Sequence, residues 1–134
     1  DYLLIFSFIV KFSLFEGGAD NSMQRMFLHS KIRDIRLTAI RPDYEGSITI
    51  DKEYLAKADI LPYEEVHVLN LSTGARIITY AISGDRGSGC IELNGPAARL
   101  GMVGDEIMVL TYALLDPMEI EKHRPTIISI NPTL

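Results

Sequence analysis

Two adjacent residues, Gly46 and Ser47 in the stretch DYEGSITID from Asp43 to Asp51, are of the types needed to break the bond between them. A serine hydroxyl held against the preceding carbonyl can attack it and shift the acyl group from nitrogen to oxygen. Glycine on the acyl side has no side chain to block the approach and reaches strained backbone angles. β-Elimination of the resulting ester frees a chain ending at residue 46 and leaves dehydroalanine at 47, whose hydrolysis gives a pyruvoyl group. That product is an electron-withdrawing ketone made from the chain's own backbone. Gly-Ser is also among the commonest turn dipeptides, and a second pair, Gly87-Ser88, lies in a turn with more glycine on both sides. Gly46-Ser47 sits instead between Tyr44-Glu45 and a β-branched run, where a strand begins.

Positioning such a bond falls to short strands. Apolar and polar residues largely alternate from Met26 to Ile40, the period of a half-buried strand, and Arg41-Pro42-Asp43 breaks it. SITI resumes as a strand, and Asp51 is placed to cap a helix over KEYLAKAD, with Tyr54, Leu55 and Ala58 on one face and Leu61-Pro62 ending it. EVHVLNLSTGARIITYAI predicts a hairpin turning at Thr73-Gly74, with Val66, Val68 and Leu71 on one arm and Ile77, Ile78 and Ala81 on the other. CIELN, DEIMVLTYALL and TIISI supply further strands, and GPAARLG a short helical turn that tolerates Pro96 at its start. Many short strands, two short helices and no long crossover predict a closed or nearly closed β-barrel. The glycine-rich GDRGSG lacks the spacing of a phosphate loop and reads as a turn.

A chain of 134 residues, 47% of them apolar, has room for one domain with a single core. Its net charge of −5 argues against a general nucleic-acid or anionic-membrane binder, because such surfaces need clustered Lys and Arg. The single cysteine, Cys90, excludes an internal disulfide framework and reads as a small buried hydrophobe in a reducing cytosol. His29, His67 and His123 have no ligand-like spacing, so no metal site is expected. Asn70-Leu71-Ser72 matches a glycosylation sequon, which matters only in a secreted protein.

Residues 1–22 differ in composition from the rest, with a largely apolar and aromatic start interrupted by Lys11. The apolar run is shorter than the roughly 20 residues of a bilayer span, and no basic region precedes it as in a signal peptide. Glu16-Gly17-Gly18 is encodable by a purine-rich ribosome-binding sequence with Met23 a few codons later. The expectation is a translated leader or disordered extension over 1–22 and one working domain over 23–134, with a membrane-tethered barrel as the weaker alternative.

Beyond the dipeptide, HSKIRDIRLT, DYEGSITID, TGARIITYAI, RGSGCIELNGPAARL and GDEIMVLTY occur in this order, and together they closely resemble the aspartate 1-decarboxylases, pyruvoyl enzymes that make β-alanine for pantothenate synthesis. The resemblance covers essentially Met23 to Pro132. It implies a mainly β double-psi β-barrel with short helices, a homotetramer in the cytoplasm, and self-cleavage between Gly46 and Ser47. Ser47 would become the pyruvoyl group, a covalent cofactor that replaces pyridoxal phosphate and needs no metal. The amine of L-aspartate would form a Schiff base with it, and electrons released with CO₂ would delocalise into the imine and the adjoining amide carbonyl.

The same resemblance assigns Tyr80 as proton donor and Thr79 as a substrate contact that assists cleavage. Arg76 and Lys31 match cations near the substrate carboxylates. Asn94 would lie beside the new pyruvoyl group, Gly95, Pro96 and Ala97 along the substrate, and Tyr44 in the cleavage region. Thr79 and Tyr80 are strand neighbours that point to opposite faces, so having both at one site needs a bend or contact through backbone atoms. Arg33 stands where many members have histidine, and Pro96 where alanine is common. An accessory maturation protein is left open, and the reading from a different class is a noncatalytic small-molecule-binding β-barrel that has lost self-processing.

Overall fold

The computed structural model describes residues 23–133. Its larger compact unit is Leu28–Ala113 with Arg124–Leu134; of the smaller, the described part is residues 23–27 and 114–123. The leader expected over 1–22 lies outside the described residues.

The strands are β1 Arg25–Arg36, β2 Ala39–Arg41, β3 Ser47–Asp51, β4 Glu65–Asn70, β5 Arg76–Gly84, β6 Ile91–Asn94, β7 Glu106–Leu115 and β8 Thr126–Ser129. They form one mixed sheet in the order β2-β6-β3-β5-β4-β7-β1-β8. β3 lies between β5, to which it is parallel, and β6, to which it is antiparallel. Ser47, Ile48, Ile50 and Asp51 are all buried, so residues of both parities are covered and β3 is a central strand. Ile48 and Ile50 join Ile32, Ile35, Leu37, Val66, Val68, Ala81, Ile91, Leu93, Ile107 and Val109 in the core.

The single strand expected from Met26 to Ile40 is two. The chain changes partners at Leu37 and Thr38: the Leu37 N–H donates to the Asp105 carbonyl, its own carbonyl accepts from Gly104, and the Thr38 N–H donates to Ile91. The hairpin turns where predicted, with β4 antiparallel to β5, but Leu71 is 49% exposed and Ile78 61% exposed. Alternation along β4 buries Val66, Val68 and Asn70 instead. The Asn70 Oδ1 accepts from the N–H groups of Ser72 and Thr73, while Nδ2 donates to the Leu100 carbonyl and to Asp105 Oδ2. The sequon asparagine is therefore a buried turn lock, closed to glycosylation in the folded chain.

Helix α1, Lys52–Ala58, starts as predicted at Asp51, but it ends on Asp59 in the left-handed region (φ 56°), ahead of Pro62. Asp59 N–H bonds back to the Ala56 carbonyl and the Ile60 N–H to Leu55, so the chain has left the helix before Pro62 acts. Gly95–Leu100 is the expected short turn, a 3-10 helix with Pro96 in its first turn. A further helix, α2 over Pro117–Lys122, was not anticipated. Its signal was present: Asp116 caps the N–H groups of Met118 and Glu119, Glu119 bonds back to the Asp116 N–H, and Pro117 follows the cap. Cys90 is partly buried rather than fully so, and lies so close to Gly84 that a Cβ there would come within 2.2 Å of Sγ.

Asp51 also explains the glycine-rich turn. Its buried carboxylate accepts from the N–H groups of Glu53 at 2.8 Å, Gly87 at 3.1 Å and Gly89 at 2.8 Å. The amides that could have cradled a phosphate are thus satisfied by the chain's own carboxylate. Burial pushes the Asp51 carboxyl upward in pKa, but the donors on Gly89, Glu53 and Gly87, with the charge of Arg86, outweigh it and hold it below the ordinary carboxylate value. A carboxyl depressed in the fold stabilises it above the unfolded pKa and loses that contribution as pH falls through the folded one. Asp51→Asn, which turns an amide N–H toward those donors, should lower stability to urea by ~1–3 kcal/mol at pH 7. The gap to the unsubstituted protein should narrow as pH falls below about 4.

Candidate active site

The antiparallel register of β3 and β6 sets Asn94 opposite Ser47. Both are buried, and Asn94 Nδ2 donates to Ser47 Oγ at 2.8 Å and to Thr49 Oγ1 at 2.9 Å. Ser47 and Thr49, two apart on one strand, share a face, which lets a single amide reach both. The Asn94 Oδ1 is buried with no hydrogen-bond partner among the described residues, and buried acceptors in that state are uncommon enough in native structures to call for an explanation.

Immediately past Asn94 the chain turns. Gly95 takes φ +62°, and a Cβ there would lie 2.6 Å from the Tyr44 carbonyl oxygen, 2.8 Å from the Gly46 nitrogen and 2.9 Å from the Gly46 Cα. Only glycine both adopts that angle without strain and permits that approach. The contact holds residues 44–46 against the first turn of the 3-10 helix, directly ahead of buried Ser47.

Gly46 lines a cleft of about 410 Å³ with Ile77, Ile78, Thr79, Tyr80, Pro96, Ala97 and Leu100. The volume lies within the usual ~300–1,000 Å³ of small-molecule sites. Four consecutive residues of β5 line it. Side chains alternate across a strand, so backbone atoms of β5 form part of the wall, and that is how Thr79 and Tyr80 meet at one site. The Tyr80 ring stands 6.4 Å, centroid to centroid, from that of Tyr63.

The structure thus brings together Gly46, Ser47, Thr79, Tyr80, Asn94, Gly95, Pro96 and Ala97. Tyr44 adjoins them through its backbone, while the residue is 56% exposed. Arg76 and Lys31 are not brought in. Arg76 begins β5, and at ~3.3 Å per residue it stands about 13 Å along the strand from Tyr80. Its guanidinium Nη1 is 3.3 Å from His67 Nδ1 and donates to the Tyr112 hydroxyl at 3.5 Å. Lys31 is on β1, separated from β5 in the sheet by β4 and β7. Among the described residues, no charged side chain lines the cleft. Arg33 pairs at 3.6 Å with Asp34. Among the described residues, no group of three or more His, Cys, Asp or Glu is placed to hold a metal ion. Four residues of this region were not foreseen as site residues: Ile77, Ile78 and Leu100 on the cleft wall, and Thr49, which the two-residue strand spacing from Ser47 could have flagged.

The sequence profile of the family described as aspartate decarboxylase matches residues 23–133. The chain belongs to the aspartate decarboxylase family. It is 50% identical over 109 residues to the aspartate 1-decarboxylase of Syntrophobacter fumaroxidans, covering 81% of this chain and 88% of that one. It is also 50% identical over 109 residues to the enzyme of that name from Thermoanaerobacter pseudethanolicus, covering 81% and 93% respectively. The aspartate 1-decarboxylase of Desulfotalea psychrophila is 44% identical over 110 residues, 82% of this chain and 92% of its own. The family's double-psi β-barrel is the fold expected from the sequence, and the eight strands and three short helical segments of the described residues agree with it.

Gly95→Ala should destabilise the chain by at least the ~1–2 kcal/mol of a left-handed alanine, with the clash against Tyr44 and Gly46 added. Urea titration of the purified variant beside the unsubstituted protein reads the difference.

Proposed function

We propose that the chain cleaves itself between Gly46 and Ser47 and, with the pyruvoyl group left at residue 47, decarboxylates L-aspartate to β-alanine in the cytoplasm, supplying pantothenate synthesis. The observation that carries this reading is the buried Ser47 hydroxyl, held by Asn94 at 2.8 Å directly behind a glycine that lines the cleft. The working domain is residues 23–134.

In the cleavage, Ser47 Oγ adds to the Gly46 carbonyl carbon, the C–N bond breaks, and the hydroxyl proton ends on the nitrogen of residue 47. Loss of the Cα proton of residue 47, as the Gly46 carboxylate leaves with that oxygen, gives dehydroalanine. Water converts it to pyruvoyl and ammonia. Asn94 keeps the hydroxyl oxygen in place by donating to it, which leaves the hydroxyl proton free to depart. Thr79, on the wall beside Gly46, assists.

The residues present suit the new group. A ketone at residue 47 is an acceptor only; its oxygen comes from water and sits on Cα, and the Asn94 NH₂ group, whose partner Oγ leaves with Gly46, is a donor beside it. Pyruvoyl supplies a carbonyl that takes the substrate amine and draws off the electron pair released with CO₂. Gly95, Pro96 and Ala97 let a small substrate lie close to the backbone. The Tyr80 hydroxyl, on the same wall as Gly46, delivers the proton to the carbon that lost CO₂. Since no cation among the described residues of a single chain lines the cleft, the two carboxylates of aspartate call for Lys31 and Arg76 from the assembled protein. A homotetramer, in which a second copy presents them, meets that need, Arg76 through paired hydrogen bonds and Lys31 as a point charge.

Ser47→Ala should remain one chain by denaturing intact mass and form no β-alanine, whereas the unsubstituted protein should give a chain ending at Gly46 and one blocked by pyruvoyl. An unsubstituted chain that stays intact through prolonged warming and exposure to cell extract would leave a small-molecule-binding barrel instead. Tyr80→Phe should still be cleaved and lose ~10²- to 10⁴-fold in decarboxylation rate, read as β-alanine formed per mole of processed protein.

A further inference from the structure

We propose that Thr49 is a positioning residue for the self-cleavage, a role that rests on the pyruvoyl reading above: its hydroxyl oxygen fixes the plane of the Asn94 amide and so aims Nδ2 at Ser47 Oγ. The two hydrogens of that NH₂ group have one partner each, Ser47 Oγ at 2.8 Å and Thr49 Oγ1 at 2.9 Å. The other end of the amide is no anchor, because Asn94 Oδ1 has no partner. Without Thr49 Oγ1, the only hydrogen bond left to the Asn94 side chain among the described residues is the one to the reacting oxygen itself.

That oxygen changes character during the reaction. It begins as a hydroxyl, becomes the bridging oxygen of an ester, which is a weak acceptor, and leaves with the Gly46 carboxylate. Thr49 Oγ1 takes no part in these bond changes, so it is the one partner Asn94 keeps from the first step to the last.

Thr49 is itself held. Its β-branched side chain has few rotamers, and its Cγ2 methyl packs against Gly84, where an added Cβ would come within 3.1 Å. β3 and β5 run parallel in fixed register, Thr49 beside Ile82 and Asp51 beside Gly84. With the methyl seated against β5, the hydroxyl is left to face Asn94 on β6. The side chain therefore ties the amide that addresses the scissile serine to the strand that carries Thr79 and Tyr80.

The test compares uncleaved precursors of the full chain, with fragment appearance followed by denaturing intact mass at one fixed temperature and thermal midpoints measured in parallel. Thr49→Val keeps the shape but loses the acceptor, and should slow cleavage by about tenfold or more, the scale of one buried amide N–H left unpaired. Thr49→Ser keeps the oxygen and should cleave within about threefold of the unsubstituted rate, a rescue that a purely packing role for the threonine would not produce. If the valine variant does not fold, Thr49→Ala takes its place in the comparison with Thr49→Ser. Equal cleavage rates for the variants with and without the oxygen, beside a normally cleaving unsubstituted chain, overturn the role of Thr49 and leave the pyruvoyl reading standing. An unsubstituted chain that never cleaves overturns both.

Discussion

Between the backbone of Gly95 and that of residues 44–46 there is no room for one additional carbon atom. The rest of the site hangs on that contact. β6 ends at Asn94, opposite the first residue of β3, and the chain must turn at once if the residues that follow are to face the cleft. Gly95 makes the turn at positive φ while pressing on the segment that leads into Ser47. Pro96 and Ala97 are thereby carried to the wall that Gly46 also lines. A side chain at residue 95 would separate the two walls, however well each was built.

The two ends of β3 handle buried polar groups in opposite ways. At Asp51 the carboxylate accepts from three backbone N–H groups, and the turn after β5 is pinned to the strand. At Ser47 the facing asparagine has its donors used and its acceptor unpaired. An unpaired acceptor in a low-dielectric interior is costly, and a strand anchored firmly at its far end is able to carry such a defect. The stable end and the reactive end are the two ends of one five-residue strand.

Much of this was legible in residue types. The alternation of EVHVLN, the Thr73-Gly74 turn and the Asp51 cap are local signals, and the structure keeps them. What local signals miss is where partners change. Leu37 and Thr38 look like the middle of one strand, yet their backbone groups bond to Asp105, Gly104 and Ile91, far away in sequence. Leu71 reads as the residue that continues the apolar set of Val66 and Val68, yet four hydrogen bonds make burying Asn70 favourable instead. At the site, the family motifs pointed to residues that the fold gathers around Gly46. Thr49 went unnoticed because only its two-residue spacing from Ser47 marks it locally; its partner is 45 residues away on another strand. Lys31 and Arg76 could not be placed by reading either: Lys31 lies on β1, across β4 and β7 from β5, and the Arg76 guanidinium is turned to His67 and Tyr112 although its neighbour Ile77 lines the cleft.

The pairings of β1 and β2 give a cut after Gly46 an outcome unlike that of a trimmed tail. Both strands precede the cut, yet β2 lies beside β6 and β1 beside β8. The shorter piece is woven into the longer one at two separate places in the sheet. Before the cut, a single chain folds with its ends tethered, and closing its loops costs only the modest entropy of an intramolecular search. Afterwards the same contacts join two molecules, so unfolding releases independent pieces and reassembly becomes a matter of concentration. For a self-cleaving chain, folding would therefore have to come first and cutting second, and the cut protein would inherit an architecture that its separated pieces would have to meet by diffusion to rebuild.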